Sequence, residues 1–347
     1  MNNIGYQLIR SWVKFSLHFY FKKIEIHGLE NVPKNKAILF LPNHQNALID
    51  ALLIAVGTGR KPYFLVRSDV FSKPFLKKVF NFLRMLPIYR IRDGRSSLKN
   101  NEAIFNTCAS LLCNKEAVLA FPEASHSLIR KVRPLSKGFT RIIFTALLKN
   151  PNLDLVIIPV GVNYEEAVSF PDKAALFFGK PIEIQEWYNS ENLNESVTKI
   201  KDLVSNQLKK ITIHINDDES YNTIIKRIEV DNLSYLDPIK VNAAIKLYNL
   251  KEGIKLTATN TKRRKGFFYY LFVLLNFPIV FLWKKVLVSK LPEKEFTATF
   301  RFALALLMYP FFFMPLFLIL SICFSWGISS LVVFAIIIYD YLYVKLT

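Results

Sequence analysis

From Phe302 to Tyr339 the chain runs 38 residues without a charged side chain. A bilayer span needs about 20 predominantly apolar residues, and in hydrocarbon only helices and closed barrels satisfy their backbone polar groups. The run is long enough for a helical hairpin turning near Ser325-Trp326-Gly327. An earlier run, Gly266 to Trp283, has 18 uncharged residues interrupted by Asn276 and Pro278, which is at the short end for a span. Lys262-Arg263-Arg264-Lys265 precede it, and Lys284, Lys285 and Lys290 follow. If it crossed, one basic cluster would lie outside, against the positive-inside bias. An interfacial or re-entrant segment is expected at 266–283, with a third span as the alternative, and a transmembrane hairpin at 302–345.

The rest of the composition agrees with a membrane protein. Over half the residues are apolar, 30 of them Phe, and the net charge is +19. A chain both basic and apolar fits an anionic bilayer surface. Nucleic acid, the other common partner of such charge, is not expected, because no recognition motif accompanies the basic residues. The three cysteines, Cys108, Cys113 and Cys323, form neither a metal-ligand spacing nor a disulfide framework, which suits a reducing compartment. Residues 1–22 read as an amphipathic helix at the membrane interface. Arg10, Lys14, His18 and Lys22 recur every four residues, and Leu8, Ile9, Trp12, Val13, Phe15, Phe19 and Tyr20 cover most of the remainder. A core helix with one wet face is the alternative.

Residues 23–215 alternate short apolar runs with helical patterns. Strands are expected near 36–42, 62–67, 117–121, 155–161 and 175–184, and helices near 50–57, 70–85, 97–113, 137–149 and 195–210. That alternation predicts an α/β domain, a mostly parallel sheet flanked by helices. No glycine-rich dinucleotide or phosphate fingerprint is present. Residues 216–262 read as a polar helical connector without a functional signal, and 263–347 as the membrane region.

The chemistry concentrates at Leu41-Pro42-Asn43-His44-Gln45-Asn46-Ala47-Leu48-Ile49-Asp50. The apolar run before it reads as a buried strand, and the run after it as a helix starting at the acid. His44 and Asp50 are six residues apart, about 240° on a continuous helix, so they cannot share a helix face. His44 therefore belongs on the turn, with only Asp50 on the helix. An imidazole beside a carboxylate can take a proton from a hydroxyl, the acid fixing the tautomer. The plainer alternative makes Asp50 an N-cap and His44 a solvated loop residue. Lys137 and Arg141 could add positive charge nearby, or form the solvated face of a helix.

Three further segments follow in order: Leu86-Pro87-Ile88-Tyr89-Arg90-Ile91-Arg92-Asp93, Phe121-Pro122-Glu123-Ala124-Ser125-His126-Ser127 and Ile157-Ile158-Pro159-Val160-Gly161-Val162-Asn163-Tyr164. Together with the His44 segment they resemble the four blocks of the glycerophosphate (lysophospholipid) acyltransferase superfamily over roughly residues 20–215. Two features depart from the commonest pattern. Five residues separate His44 from Asp50 where four are usual, and Ala124-Ser125-His126 stands where Gly-Thr-Arg is usual. Both resemble the fungal-type glycerol-3-phosphate/dihydroxyacetone-phosphate acyltransferase branch, as does Pro134-Leu135-Ser136-Lys137-Gly138, apart from Ser136. Without the block-three glycine, that turn is less free in φ/ψ.

The resemblance implies a membrane-bound O-acyltransferase of phospholipid synthesis. It would move an acyl group from a thioester, acyl-CoA or acyl carrier protein as co-substrate, to glycerol 3-phosphate or its 1-acyl derivative. It implies no cofactor and no metal. His44 would be the general base and Asp50 its orienting acid. Arg90 would bind the acceptor phosphate, with Arg92 assisting or serving as a surface charge, and Glu123, Ser125, His126 and Lys137 would complete the acceptor site. Glu123 would bond a glycerol hydroxyl or an arginine, and Pro159 would shape a strand end beside the acyl channel. Expected partners are membrane lipids, the thioester donor and the glycerol phosphate acceptor, with the domain on the cytosolic face of an integral membrane protein. A lyso-aminolipid acceptor, and a non-catalytic lipid-binding module of the same fold, are the rival readings.

Overall fold

The computed structural model describes residues 3–71, 73–90, 99–216, 218–248 and 266–347. An eight-stranded sheet organises the domain. Its strands are β1 (Phe21–His27), β2 (Ala37–Pro42), β3 (Tyr63–Arg67), β4 (Met85–Ile88), β5 (Ala117–Leu119), β6 (Leu155–Tyr164), β7 (Asp172–Phe178) and β8 (Ile182–Glu183). The order is β1-β7-β6-β2-β5-β3-β4, with β8 also beside β6. Pairings of β6 with β7 and β8 are antiparallel, and the others are parallel. The mostly parallel α/β class expected from the alternation is the class observed.

Every residue of β2 and β6 is buried, because helices cover both faces of the sheet. The period of two divides β2 between two cores. Ile38 and Phe40 pack with α1 (Asn3–Tyr20) and α2 (Ala47–Gly57), through Leu17, Ile49 and Leu53. Ala37, Leu39 and Leu41 pack with α4 (Asn100–Cys113), α5 (Gly138–Lys149) and α6 (Leu193–Ile211), through Leu112, Ile142 and Val204. α3 (Pro74–Phe82) lies between β3 and β4 in sequence.

Several elements differ from the sequence pattern. The helix expected from Asp50 starts at Ala47, because the Asp50 carboxylate reaches back to the N–H groups of Gln45 and Asn46. The run 175–184 is two strands, since Pro181 lacks the N–H that would continue the ladder. The expected helix 70–85 is a 3₁₀ turn at Ser68–Phe71, then α3, and its tail opens β4. β1 carries no strand signal in the sequence, because Phe-Lys-Lys-Ile-Glu-Ile-His is charged along one edge of the sheet, as edge strands tend to be. In α1, Arg10 turns inward from the polar stripe and donates to the carbonyls of Ala55 and Thr58 at the end of α2, where a helix dipole favours a cation. Leu17 and Tyr20 are buried, while Ile4, Leu8, Trp12 and Phe15 stay exposed.

Beyond the sheet, α7 (Tyr221–Val230) and α8 (Pro238–Tyr248) close a small apolar cluster around Ile215, Ile228 and Val241. Asn242 donates to Lys209 O and Thr212 O, capping the end of α6. The basic run Lys262–Lys265 and the last part of the 216–262 connector lie outside the described residues. α9 (Phe267–Leu275) and α10 (Phe277–Phe281) follow, and the chain from Phe267 to Lys290 bends by 96° between them. α11 (Thr297–Cys323) and α12 (Trp326–Leu346) are both long and apolar enough to cross a bilayer. If the bent pair is a single span, the number becomes three.

The hairpin is rooted at both ends in the sheet domain. Ala298 and Phe302 of α11 belong to the core that holds Leu17 and Phe40. At the other end, Lys345 Nζ donates to Phe21 O at 2.8 Å. The turn at Phe324 and Ser325 joins the two helices at the other end from these contacts. A reporter fused after Thr347 is therefore expected on the same membrane side as the domain, and a tag inserted at Gly327 on the opposite side. Protease protection of both tags on one side would rule this hairpin out.

Candidate active site

The parallel pairing of β2 with β6 brings the His44 turn to the carboxyl end of the sheet, where open α/β sheets bind ligands. Asn43 fixes the turn to β6. Its Nδ2 donates to Val162 O (3.0 Å), and its Oδ1 accepts from Val162 N (2.7 Å). His44 lies in the turn itself and Asp50 in the first turn of α2.

Asp50 is fully buried and fully partnered. Its Oδ2 receives His44 Nδ1 (2.8 Å) and the backbone N–H groups of Gln45 (2.9 Å) and Asn46 (2.8 Å). Its Oδ1 receives the Tyr164 hydroxyl at 2.6 Å. Four donors at the start of α2 occupy its lone pairs without water. With Nδ1 donating to the carboxylate, the neutral ring keeps its lone pair on Nε2. The ring stacks on Phe121 (centroids 3.7 Å apart) and meets the His126 ring edge-on at 5.5 Å. Burial pushes the His44 imidazole below its ordinary range, and the Asp50 hydrogen bond opposes that shift. The net result is a base that is neutral at neutral pH.

The turn after β5 carries the third segment. Glu123 is buried and paired with Arg133, which reaches its Oε2 through Nε (3.0 Å) and Nη2 (2.6 Å). Burial pushes the Glu123 carboxyl up, and the guanidinium opposes this. Arg133 Nη1 also donates to Ser125 Oγ at 2.6 Å, and Nη2 to the Ser125 carbonyl. Of the two partners expected for Glu123, the structure supplies the arginine. Ala124 has φ +60°, the left-handed conformation in which a Cβ is strained and for which glycine is suited. His126 Nε2 lies 2.8 Å from Glu293 Oε2, and its ring packs against Phe296 at the entry to α11. Among the described residues, His126, Glu293 and Glu295 are the one group whose ligand-type atoms, all within 4.8 Å, could share a cation.

His44, Asp50, Glu123, Ser125 and His126 therefore converge on one turn cluster. Arg90 and Lys137 stand on other segments of the chain. Arg90 follows β4 at the sheet edge, with its Nη2 3.8 Å from Asp69 Oδ2, and Lys137 is exposed just before α5. Arg92 lies outside the described residues. Three contributors had no assigned role in the sequence. Tyr164 closes the fourth segment and Phe121 opens the third, so both lie within those motifs. Arg133 had only a cation before Pro134 as its signal.

A model of the Acyltransferase family matches residues 23–163, which span all four segments. Two yeast proteins resemble the chain, both from Saccharomyces cerevisiae. Glycerol-3-phosphate O-acyltransferase 1 is 24% identical over 147 residues, 40% of this chain and 19% of that protein. Glycerol-3-phosphate O-acyltransferase 2 is 24% identical over 129 residues, 36% of this chain and 17% of that protein. An uncharacterised acyltransferase of Schizosaccharomyces pombe is 25% identical over 57% of this chain and 29% of its own length. The chain thus spans less than a third of each of these relatives, and the fungal-type kinship implied by the Ser-His departure is borne out. The crystal structure of a 1-acyl-sn-glycerophosphate acyltransferase, PlsC, from Thermotoga maritima aligns at a TM-score of 0.44 and 18% identity, over 60% of this chain and 84% of that one.

Glu123 has a partner whose loss would strand a buried charge. Arg133→Met should destabilise the domain by about 3–5 kcal/mol, and the double variant Glu123→Gln/Arg133→Met should recover part of that loss. Ala124→Gly should instead stabilise by up to about 1 kcal/mol by relieving the left-handed strain. Thermal melts in detergent measure all three. A silent Arg133→Met would mean the pair is not formed.

Proposed function

We propose that this chain is an O-acyltransferase that moves a fatty acyl group from a thioester donor, acyl-CoA or acyl carrier protein, to a hydroxyl of glycerol 3-phosphate or 1-acyl-glycerol 3-phosphate. The observation that carries this reading is the 2.8 Å contact between His44 Nδ1 and the buried Asp50 carboxylate, which leaves Nε2 as the basic atom. The names of the fungal relatives support a glycerol phosphate acceptor.

In this reading His44 Nε2 takes the proton of the acceptor hydroxyl as its oxygen attacks the thioester carbonyl. A tetrahedral adduct forms, the C–S bond breaks, and the imidazolium returns its proton to the departing thiolate. Asp50 stabilises the imidazolium while it exists, as the acid does in a serine-protease triad. The acceptor hydroxyl takes the serine's place, so no acyl-enzyme forms. Glu123 and Arg133 hold the third-segment turn in shape against His44. Arg90 and Lys137 are the cations we assign to the acceptor phosphate. Acyl thioesters are cytosolic, and so is the side we assign to the domain. Lys284, Lys285 and Lys290 lie on the domain side of α11, where the positive-inside bias places them.

His44→Ala should lower acyl transfer by at least about 10²–10⁴-fold without loss of fold. The working form of His44 is unprotonated, and burial lowers its pKa. Activity should therefore hold as pH falls to the ordinary histidine value near ~6.5 and decline only below it. Assays of the purified chain with glycerol 3-phosphate and its 1-acyl derivative, using both donor types, check this. Full activity of His44→Ala would refute the base assignment.

A further inference from the structure

A cavity of about 470 Å³ lies on the membrane side of the sheet domain, between α1, the bent α9–α10 pair, α11 and α12. That volume is within the ~300–1,000 Å³ range of small-molecule sites. Its walls are mainly aromatic and aliphatic, with Trp12, Phe19, Phe272, Trp283 and Phe302 among them. Three charged residues also reach the wall: Lys284, Arg301 and Asp340.

Arg301 is the informative one. Its guanidinium lies 4.9 Å from the Trp283 ring, and its Nη2 donates to Val168 O at 3.2 Å. Its Nη1 is buried and meets no anionic acceptor among the described residues; its neighbour there is the buried Tyr20 hydroxyl, a neutral group. A guanidinium that meets only neutral groups inside an apolar wall keeps its charge uncompensated, and an anionic oxygen is the partner that best relieves it. Lys284 adds a second positive charge on the same wall, held by the Tyr269 hydroxyl at 2.9 Å, which does not neutralise it. Asp340 supplies the opposite need. Its Oδ1 takes the Asn276 amide at 2.7 Å, while Oδ2 is buried without a donor among the described residues. An occupant that meets all three carries an apolar chain, an anion and a hydrogen-bond donor. Two helices able to span a bilayer frame the cavity, so its neighbours in place are lipids.

We propose that this cavity is a binding site for a membrane glycerophospholipid, with one acyl chain between α1 and α11 and the phosphate on the Arg301 guanidinium. Phosphate geometry matches the planar guanidinium fork. The site abuts the catalytic turn. Thr299, two residues before Arg301, accepts the Leu48 N–H of α2 at 3.1 Å. Ala167 O, next to the carbonyl that holds Arg301, receives Asn46 Nδ2 at 2.9 Å. A bound lipid would thus hold in place the two contacts that brace the start of α2.

Binding does not depend on the acyl-transfer reading, so the test is a binding measurement. The full chain, purified in mild detergent, is titrated with 1-palmitoyl-2-oleoyl-phosphatidylglycerol and followed by native mass spectrometry. One tightly held lipid per chain is expected. Arg301→Gln should weaken it by about tenfold or more, the scale of a lost charge-assisted pair. Ala305→Trp, which fills the cavity and leaves Arg301 in place, should weaken it similarly, while the exposed α6 variant Lys210→Gln should not. Thermal melts establish that each variant is folded. If Arg301→Gln does not fold, Arg301→Lys and Ala305→Trp carry the test. Unchanged binding in both cavity variants would overturn the proposal and mark the lipid as surface-adsorbed. Equal binding of dioleoylglycerol, which lacks the phosphate, would overturn it too. One-for-one displacement by palmitoyl-CoA would overturn it by assigning the cavity to the acyl donor.

Discussion

A single buried carboxylate organises the centre of this protein. Asp50 accepts from an imidazole, two backbone N–H groups of the preceding turn and a phenol from a different strand. A carboxylate with no solvent contact survives only when its lone pairs are occupied in this way. The consequences spread outward. The two backbone contacts let α2 begin three residues before the acid. The imidazole contact selects the tautomer of His44. The Tyr164 contact ties the end of β6 to the start of α2. Packing of β2 against β6 delivers the partners, and Asp50 converts that packing into a fixed ring orientation.

Legibility in the sequence followed locality. The central strands were readable because apolar runs such as Ala37–Leu41 and Leu155–Pro159 carry their burial in their composition. The His44 turn was readable because a six-residue separation excludes a shared helical face. The edge strands β1 and β4 were not readable, one being charged and the other only four residues long. Pairings distant in sequence were also hidden. Tyr164 is 114 residues from Asp50, and His126 is 167 from Glu293. Arg133 shows the intermediate case. Ten residues from Glu123, it was visible as a cation, but only the fold of the turn shows which acid it serves.

Ala124 is instructive for the same reason. The departure from glycine was plain in the sequence, and the expectation was a stiffer turn. The backbone did not change course to suit the new side chain: it keeps a left-handed φ and bears the strain. The bonds of Arg133 to Glu123 and Ser125, on either side of Ala124, hold it there. Strain tolerated in this way implies that the geometry of the turn matters more than its local cost.

The rooting of α11 has a consequence for how the chain is made. Ala298 and Phe302 complete a core whose other walls are built from residues as early as Val13 and Leu17. The sheet domain therefore emerges from the ribosome well before the side chains that close one of its faces. Until α11 arrives, Tyr20, whose ring meets Phe302 at 5.5 Å, and the core beside it lack that cover, the kind of transient exposure that invites aggregation. The helices apolar enough to enter a bilayer are thus also the ones that seal the domain, so placing the hairpin and closing this core are coupled.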